Sequence, residues 1–170
     1  MAVEKYTALA EVTTTSTSTA ITFGSIPQGY RDLRIVGSNI VATSNYSQPE
    51  FRLNGDSGSN YSHVQMTGKS WTPTAYTSAG ASNLGLILFT GIAPTARLMF
   101  TLDIFDYSAT NKHKTTIGSC DYIDTSETVA SRIANRWANT AAVTSVTIFI
   151  GPTYTAPIAA GATFKLFGVK

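Results

Sequence analysis

The segment 52–62, RLNGDSGSNYS, contains the residues of this chain that most resemble a set of ligands. Asn54, Asp56 and Asn60 alternate with small residues, as oxygen ligands do in a calcium loop. A calcium loop of the EF-hand type uses several carboxylates and a closing Glu, but Asp56 is the only carboxylate in the segment. A phosphate cradle would need Gly-Lys-Ser/Thr before a helix, whereas residues 61–66 continue as a strand pattern. Because Asn-Gly and Ser-Gly supply positive φ angles at little cost, we interpret the segment as a structural turn.

The histidines and the single cysteine do not form a recognisable site in the sequence. A zinc site wants three or four ligands at short local spacings, and neither His63 nor His113 has a second His or Cys at i+3 or i+4. Cys120 is the only cysteine, so it cannot form an intramolecular disulfide. Strand alternation places Cys120 on the same face as Gly118 and Tyr122, and we interpret it as a small packed thiol.

Carboxylates and serines are also candidates for catalysis. Glycoside hydrolysis requires two converging carboxylates, but Asp103 and Asp106 fall on opposite faces of a regular strand, as do Asp121 and Asp124. A pair formed across strands remains open. The sequence has no G-x-S-x-G nucleophile elbow. We therefore predict a protein that is not an enzyme and that has no cofactor and no metal site.

The elements that would position these residues are strands, because apolar residues recur with a period of two. In segment 97–105 one face carries four apolar residues, Leu98, Phe100, Leu102 and Ile104. The opposite face is more polar but includes Met99 and Phe105. Those two apolar residues indicate a second buried face, formed against either the opposing sheet or another subunit.

Turn signals separate the predicted strands at regular intervals. The predicted strands are 4–13, 19–24, 31–42, 49–54, 60–68, 83–90, 96–106, 114–123, 128–137, 143–150 and 162–169. A short helix within 125–137 is the alternative to the strand there. The Thr-rich run 13–19 is interpreted as a polar hairpin between the first two strands, and 44–48 and 71–82 as irregular. Many short strands without crossover helices predict an all-β fold, an antiparallel jelly-roll-like β-sandwich, with residues 1–170 as a single domain.

Composition excludes several classes of partner. Charged residues make up 13% of the 170 residues, against about 25% in ordinary soluble domains. The net charge is +2 and the cations are scattered, so we expect no nucleic acid and no membrane among the partners. The longest apolar run, 84–89, is too short to span a bilayer, and the N-terminal segment lacks an export signal. We expect a soluble protein.

Four aromatic residues in predicted irregular segments form a candidate interaction surface: Trp71, Tyr76, Tyr46 and Tyr154. Exposed aromatic rings of this kind stack on sugars in some β-sandwich proteins. The interpretation that we favour is that they pack against neighbouring subunits or on the rim of the domain itself.

Several segments together resemble a known family. They are YTALAEVT at 6–13, ITFGSIP at 21–27, YRDLRI at 30–35, FRLNGDSGSNYS at 51–62, WANTAAVTSVT at 137–147 and GATFKLFGVK at 161–170. Their order and character resemble those of small β-rich structural proteins of tailed bacteriophages. The resemblance covers nearly the whole chain, is weakest over 63–82, and is carried by turns and strand ends.

This resemblance implies a virion component on a jelly-roll-like sandwich. The implied role is a capsid decoration or cement protein, which binds the lattice of the major capsid protein as a homotrimer and carries no catalytic residues. The expected location is the capsid surface of the virion, after synthesis in the host cytoplasm, and a single cysteine fits a reducing compartment. The alternative is a tail or fibre protein that binds a receptor or a carbohydrate.

Overall fold

The structure, a computed structural model, describes residues 6–43, 48–69, 72–82, 85–87, 96–123, 128–150 and 157–170. Every regular element within these ranges is a strand. The strands are β1 (Tyr6–Thr13), β2 (Ala20–Phe23), β3 (Asp32–Ile40), β4 (Pro49–Leu53), β5 (Tyr61–Lys69), β6 (Thr72–Ser82), β7 (Gly85–Leu86), β8 (Arg97–Phe105), β9 (Lys114–Ile123), β10 (Thr128–Trp137), β11 (Val146–Ile150) and β12 (Thr163–Val169).

The strands form two antiparallel sheets. The larger sheet has eight strands in the order β1-β12-β3-β8-β9-β10-β5-β6, and the smaller has four in the order β2-β11-β4-β7. A single hydrophobic cluster contains residues of both sheets. The predicted all-β, antiparallel, jelly-roll-like sandwich is thereby confirmed.

The core lies between the sheets and follows the period-two pattern. Along β8, Leu98, Phe100, Leu102 and Ile104 are each at most 1% exposed. From the smaller sheet, Val146 and Ile148 of β11 are fully buried. Complete burial of one such side chain contributes about 1.5–3 kcal/mol, so the inward residues of both sheets supply the main stabilisation.

The core beneath β5 and β10 contains buried polar side chains next to apolar ones such as Ile133 and Trp137. Four polar side chains point to the core side of the sheet and are at most 5% exposed: Gln65, Thr67, Ser131 and Asn135. Their side chains are hydrogen-bonded: Gln65 donates to Thr67, and the Thr67 and Ser131 hydroxyls lie 3.1 Å apart. Asn135 Nδ2 donates to Thr116 Oγ1 at 3.1 Å. Buried polar groups keep such partners because an unsatisfied group costs about 1–3 kcal/mol.

Two sequence predictions about connections are wrong. Residues 72–82 form strand β6, which pairs with β5 as an edge of the larger sheet, and not an irregular loop. Small residues and Pro73 hide this strand in the sequence, and proline is tolerated at a sheet edge, where an N–H needs no partner. The run 13–19 is not a hairpin, because β1 pairs with β12 in the larger sheet and β2 with β11 in the smaller.

The connection from β1 to β2 therefore crosses from one sheet to the other. Thr14 fixes its start: its N–H donates to Ala162 O at 2.9 Å and its hydroxyl donates to Ala159 O at 2.8 Å. Ser18 exchanges two backbone hydrogen bonds with Ile158. Since these polar groups are paired, the Thr-rich run is an ordered crossover.

Candidate functional site

Segment 52–62 joins β4 to β5 in a tight turn. Asn54 and Gly55 both have positive φ angles, 53° and 67°, as the two central residues of a type I′ β-turn do. The Asp56 N–H donates to Leu53 O at 3.0 Å and closes the turn. The predicted structural turn is confirmed.

The Asp56 carboxylate, the only acidic group of the turn, is engaged by three donors. Its Oδ1 accepts from the Gly58 N–H at 2.8 Å, and its Oδ2 accepts from Asn60 Nδ2 at 2.8 Å and from the Trp137 indole at 2.6 Å. Burial alone would raise the pKa of Asp56, but these hydrogen bonds outweigh it and lower the pKa below its ordinary value. The carboxylate anchors the turn to the end of β10.

Asn54, the first candidate ligand, also serves the turn. Its Nδ2 donates to Ala142 O at 2.8 Å, while its Oδ1 accepts from the backbone N–H groups of Thr144 and Ser145 at 2.8 and 3.1 Å. These contacts tie the β4–β5 turn to the segment before β11. Asn54 therefore points to the segment before β11, whereas Asn60 donates to Asp56, and the three side chains do not present their oxygens to a common centre.

Two of the candidate carboxylates, Asp103 and Asp106, are paired with cations. Asp103 accepts two hydrogen bonds from Arg34, at 2.6 and 2.7 Å, and these chiefly raise the pKa of the arginine. Asp106 accepts from Lys112 at 2.8 Å, which lowers its pKa. Asp106 lies just beyond β8 with a φ of 46°, so the chain has already turned away from the strand that carries Asp103. These pairs are structural contacts between neighbouring elements.

The nucleophile and base candidates are placed apart by the fold. Cys120 is completely buried, and burial raises the pKa of its thiol well above the ordinary value, so it is the packed thiol that alternation predicted. His113 Nδ1 lies 2.9 Å from Arg136 Nη2. His63 is half-buried on β5, opposite Asn135 of β10, and burial lowers its pKa. In the described parts of the chain, no three His, Cys, Asp or Glu side chains are grouped as metal ligands.

Glu50 is a buried acid that sequence reasoning did not single out. It lies on β4 and is 2% exposed. Gln48 Nε2 donates to its Oε1 at 2.6 Å, and its Oε2 has no hydrogen-bond partner among the described residues. Burial raises the pKa of Glu50 to about 7, against the opposing effects of Gln48 and the charge of Arg52. The only signal in the sequence was a carboxylate next to Phe51 in a predicted strand.

The outward side of the larger sheet carries a patch of exposed apolar side chains. Five of them, hereafter the apolar face, project from β5, β8 and β9: Val64 (47% exposed), Met66 (68%), Met99 (53%), Ile117 (46%) and Ile123 (67%). Met99 was expected to lie against either the opposing sheet or another subunit. Since half of its surface is exposed, the opposing sheet does not cover it.

Two opposite charges lie in the middle of the apolar face. Arg132 of β10 and Asp121 of β9 approach to 3.9 Å, with side chains 66% and 48% exposed. Arg132 is opposite Met66 of β5 in the register, and Asp121 is opposite Met99 of β8. A groove of about 770 Å³ passes this pair, and its described lining includes Met66, Gly68, Pro73 and Ala130 but no aromatic side chain.

The aromatic surface predicted from the sequence falls largely outside the described residues. Tyr46, Trp71 and Tyr154 all lie there. Tyr76 belongs to β6, where its backbone is opposite Gln65, but its side chain is also outside what the structure describes. The described residues offer a different candidate surface, the apolar face, which the sequence indicated only through Met99.

Comparisons with known proteins give no family. No family model matches the chain, and no curated protein matches it. Among solved structures, a marine alginate lyase from Aplysia kurodai is 10% identical with a TM-score of 0.37, over 96% of this chain and 90% of that one. The Caenorhabditis elegans galectin LEC-6 is 13% identical with a TM-score of 0.31, over 94% of this chain and 95% of that one. In the described part of the chain, no helix is long and apolar enough to cross a membrane.

Proposed function

We propose that this chain is a non-enzymatic structural protein of a bacteriophage virion, and that it serves as a capsid decoration protein on the lattice of the major capsid protein. The observation that carries the proposal is the apolar face, with five large apolar side chains 46–68% exposed on one side of a sheet. An exposed apolar patch of this kind marks a surface that another polypeptide chain, of the same or of a different protein, covers.

The charges of the chain support the same role. Four of the described aspartates form ion pairs within the chain: Asp32 with Arg31, Asp103 with Arg34, Asp106 with Lys112 and Asp121 with Arg132. Protein interfaces are depleted in charge at their centre, and two sets of charges near the apolar face, Arg132 with Asp121 and Arg34 with Asp103 beside Ile117, are paired. The resemblance of the sequence to phage structural proteins supplies the expected partner, the major capsid protein.

The test is the location of the chain in purified particles. An antibody raised against the chain should label the capsid surface in immuno-electron microscopy, and mass spectrometry of the particles should detect the chain in many copies. The purified chain should also cosediment with empty capsids and not with isolated tails. Particles without the chain would overturn the proposal, and label confined to tails would favour the receptor-binding alternative.

A further inference from the structure

We infer that the apolar face packs against the same face of a second copy of this chain, in a two-fold symmetric dimer. The inference rests on the structural role proposed above and names the occupant of the surface. A two-fold interface joins a patch to itself, so the patch must be self-complementary in charge and shape.

The charges of the apolar face meet that condition. Arg132 and Asp121 lie side by side near its centre, as one positive and one negative group. Consider a two-fold axis that lies in the plane of the interface, passes midway between Arg132 and Asp121, and is perpendicular to the line joining them. Rotation about this axis exchanges the positions of the two residues. Each Arg132 then lies over Asp121 of the second copy. Two ion pairs form across the interface in place of one exposed pair within each chain.

The apolar side chains lie on both sides of this charged centre. Met66 and Val64 project from β5 on the Arg132 side, and Met99, Ile117 and Ile123 project from β8 and β9 on the Asp121 side. The same axis carries the β5 side chains of one copy towards the β8 and β9 side chains of the other. The most exposed residues, Met66 and Ile123, are thereby buried against apolar partners.

The area of the surface is also of the right order for a dimer. The strands β8-β9-β10-β5-β6 are neighbours in the sheet, and β5 and β8 each have nine residues. With spacings of about 4.8 Å between strands and about 3.3 Å along them, the face measures roughly 20 by 30 Å. This flat area of roughly 600 Å² is of the same order as the ~800 Å² per partner of a stable interface.

The first measurement is the mass of the full chain by sedimentation equilibrium across the micromolar range. We expect twice the mass of one chain. A mass of three chains would favour the trimer that the family resemblance implies and would overturn the dimer. A monomer that loses capsid binding on Met66→Glu substitution would show that the capsid protein covers the face, and would overturn it as well.

Charge reversal tests the two-fold pairing itself. Asp121→Arg alone and Arg132→Asp alone each place like charges opposite one another and should weaken the dimer at least tenfold. An equimolar mixture of the two variants should form a heterodimer, because both cross-pairs are then complementary. Circular dichroism of each variant checks that it is folded. Single variants that remain dimeric, or a mixture that stays monomeric, would overturn the inference.

A matched control is available on the same sheet. Glu11 of β1 and Lys165 of β12 form a similarly exposed ion pair at 3.3 Å, outside the apolar face. Glu11→Lys and Lys165→Glu should leave the mass unchanged. The mass measurement and the search for the chain in particles test different proposals. A dimer absent from particles would overturn only the proposed function, and a monomer found on capsids would overturn only the dimer.

Discussion

The buried carboxyl of Glu50 should give the folded chain a distinctive dependence on pH. Burial raises the pKa of Glu50 from 4.5 to about 7, so the folded state binds a proton more tightly than the unfolded state does. A group with a raised pKa contributes stability that is fully present below the unfolded pKa and is lost as pH rises through the folded pKa. The contribution of Glu50 should therefore fall between about pH 4.5 and 7.

The size of the effect follows from the shift. Each unit of pKa corresponds to about 1.4 kcal/mol, so the free energy of unfolding should lose about 3 kcal/mol from this one group across the window. Glu50→Gln removes the titration, while its amide oxygen can still accept the hydrogen bond from Gln48. As pH rises from about 4 to about 8, we expect the free energy of unfolding of the variant to increase by about 3 kcal/mol relative to that of the native chain.

Urea unfolding of both chains at a series of pH values measures this difference, and the contributions of all the other acids cancel in it. Glu11→Gln is the control, because Glu11 is an exposed acid whose partner is the exposed Lys165. Its difference from the native chain should stay within about 1 kcal/mol at every pH. A Glu50→Gln difference that does not change with pH would refute the reasoning from burial.

Three further outcomes are expected. Asp56→Ala removes the acceptor of three hydrogen bonds and should lower the free energy of unfolding by about 2–4 kcal/mol, with a changed near-ultraviolet circular dichroism signal from Trp137; an unchanged unfolding midpoint would contradict this. Gly168→Ala places a Cβ about 2.4 Å from the ring of Tyr30, so it should lower the free energy of unfolding, measured by thermal unfolding, by about 1–3 kcal/mol. Gly24→Ala is the control, because open space surrounds Gly24, and it should lower this free energy by less than about 0.5 kcal/mol. Equal effects of the two variants would argue against the close packing at Gly168. Cys120 should react with a thiol reagent only as fast as the chain unfolds, and rapid labelling of the folded protein would show that the thiol is accessible.

Much of the fold was predictable because most strands alternate between a buried and an exposed face. The inward residues of β8, from Leu98 to Ile104, are apolar without exception at every second position, and burial follows that pattern. Strand β6 escaped prediction because its residues are small or polar, and because Pro73 is acceptable only at an edge, a position that is defined by the sheet and not by the local sequence.

The candidate site was less predictable, because exposure depends on which face of a sheet the opposing sheet covers. Strand alternation placed Met99 on the face of β8 that does not carry Leu98, but it did not show what would cover that face. Likewise, Gln65 and Thr67 occupy the core side of β5 while Met66 is exposed, the reverse of what hydrophobicity predicts for this strand. A hydrogen-bonded polar layer in the core compensates for that reversal, and it forms only after distant strands have met.

The position of β12 between β1 and β3 has a consequence for how the chain acquires its structure during synthesis. Thr13 and Thr163, whose hydroxyls lie 3.1 Å apart, are separated by 150 residues. On a ribosome, β1 and β3 emerge long before β12, the strand that lies between them in the sheet. The backbone groups of β1 and β3 that pair with β12 therefore remain unpaired until β12 has been synthesised. We expect the larger sheet to close only once β12 has emerged from the ribosome, slowly and with a large entropic barrier, and a nascent chain stalled before Thr163 should remain sensitive to protease.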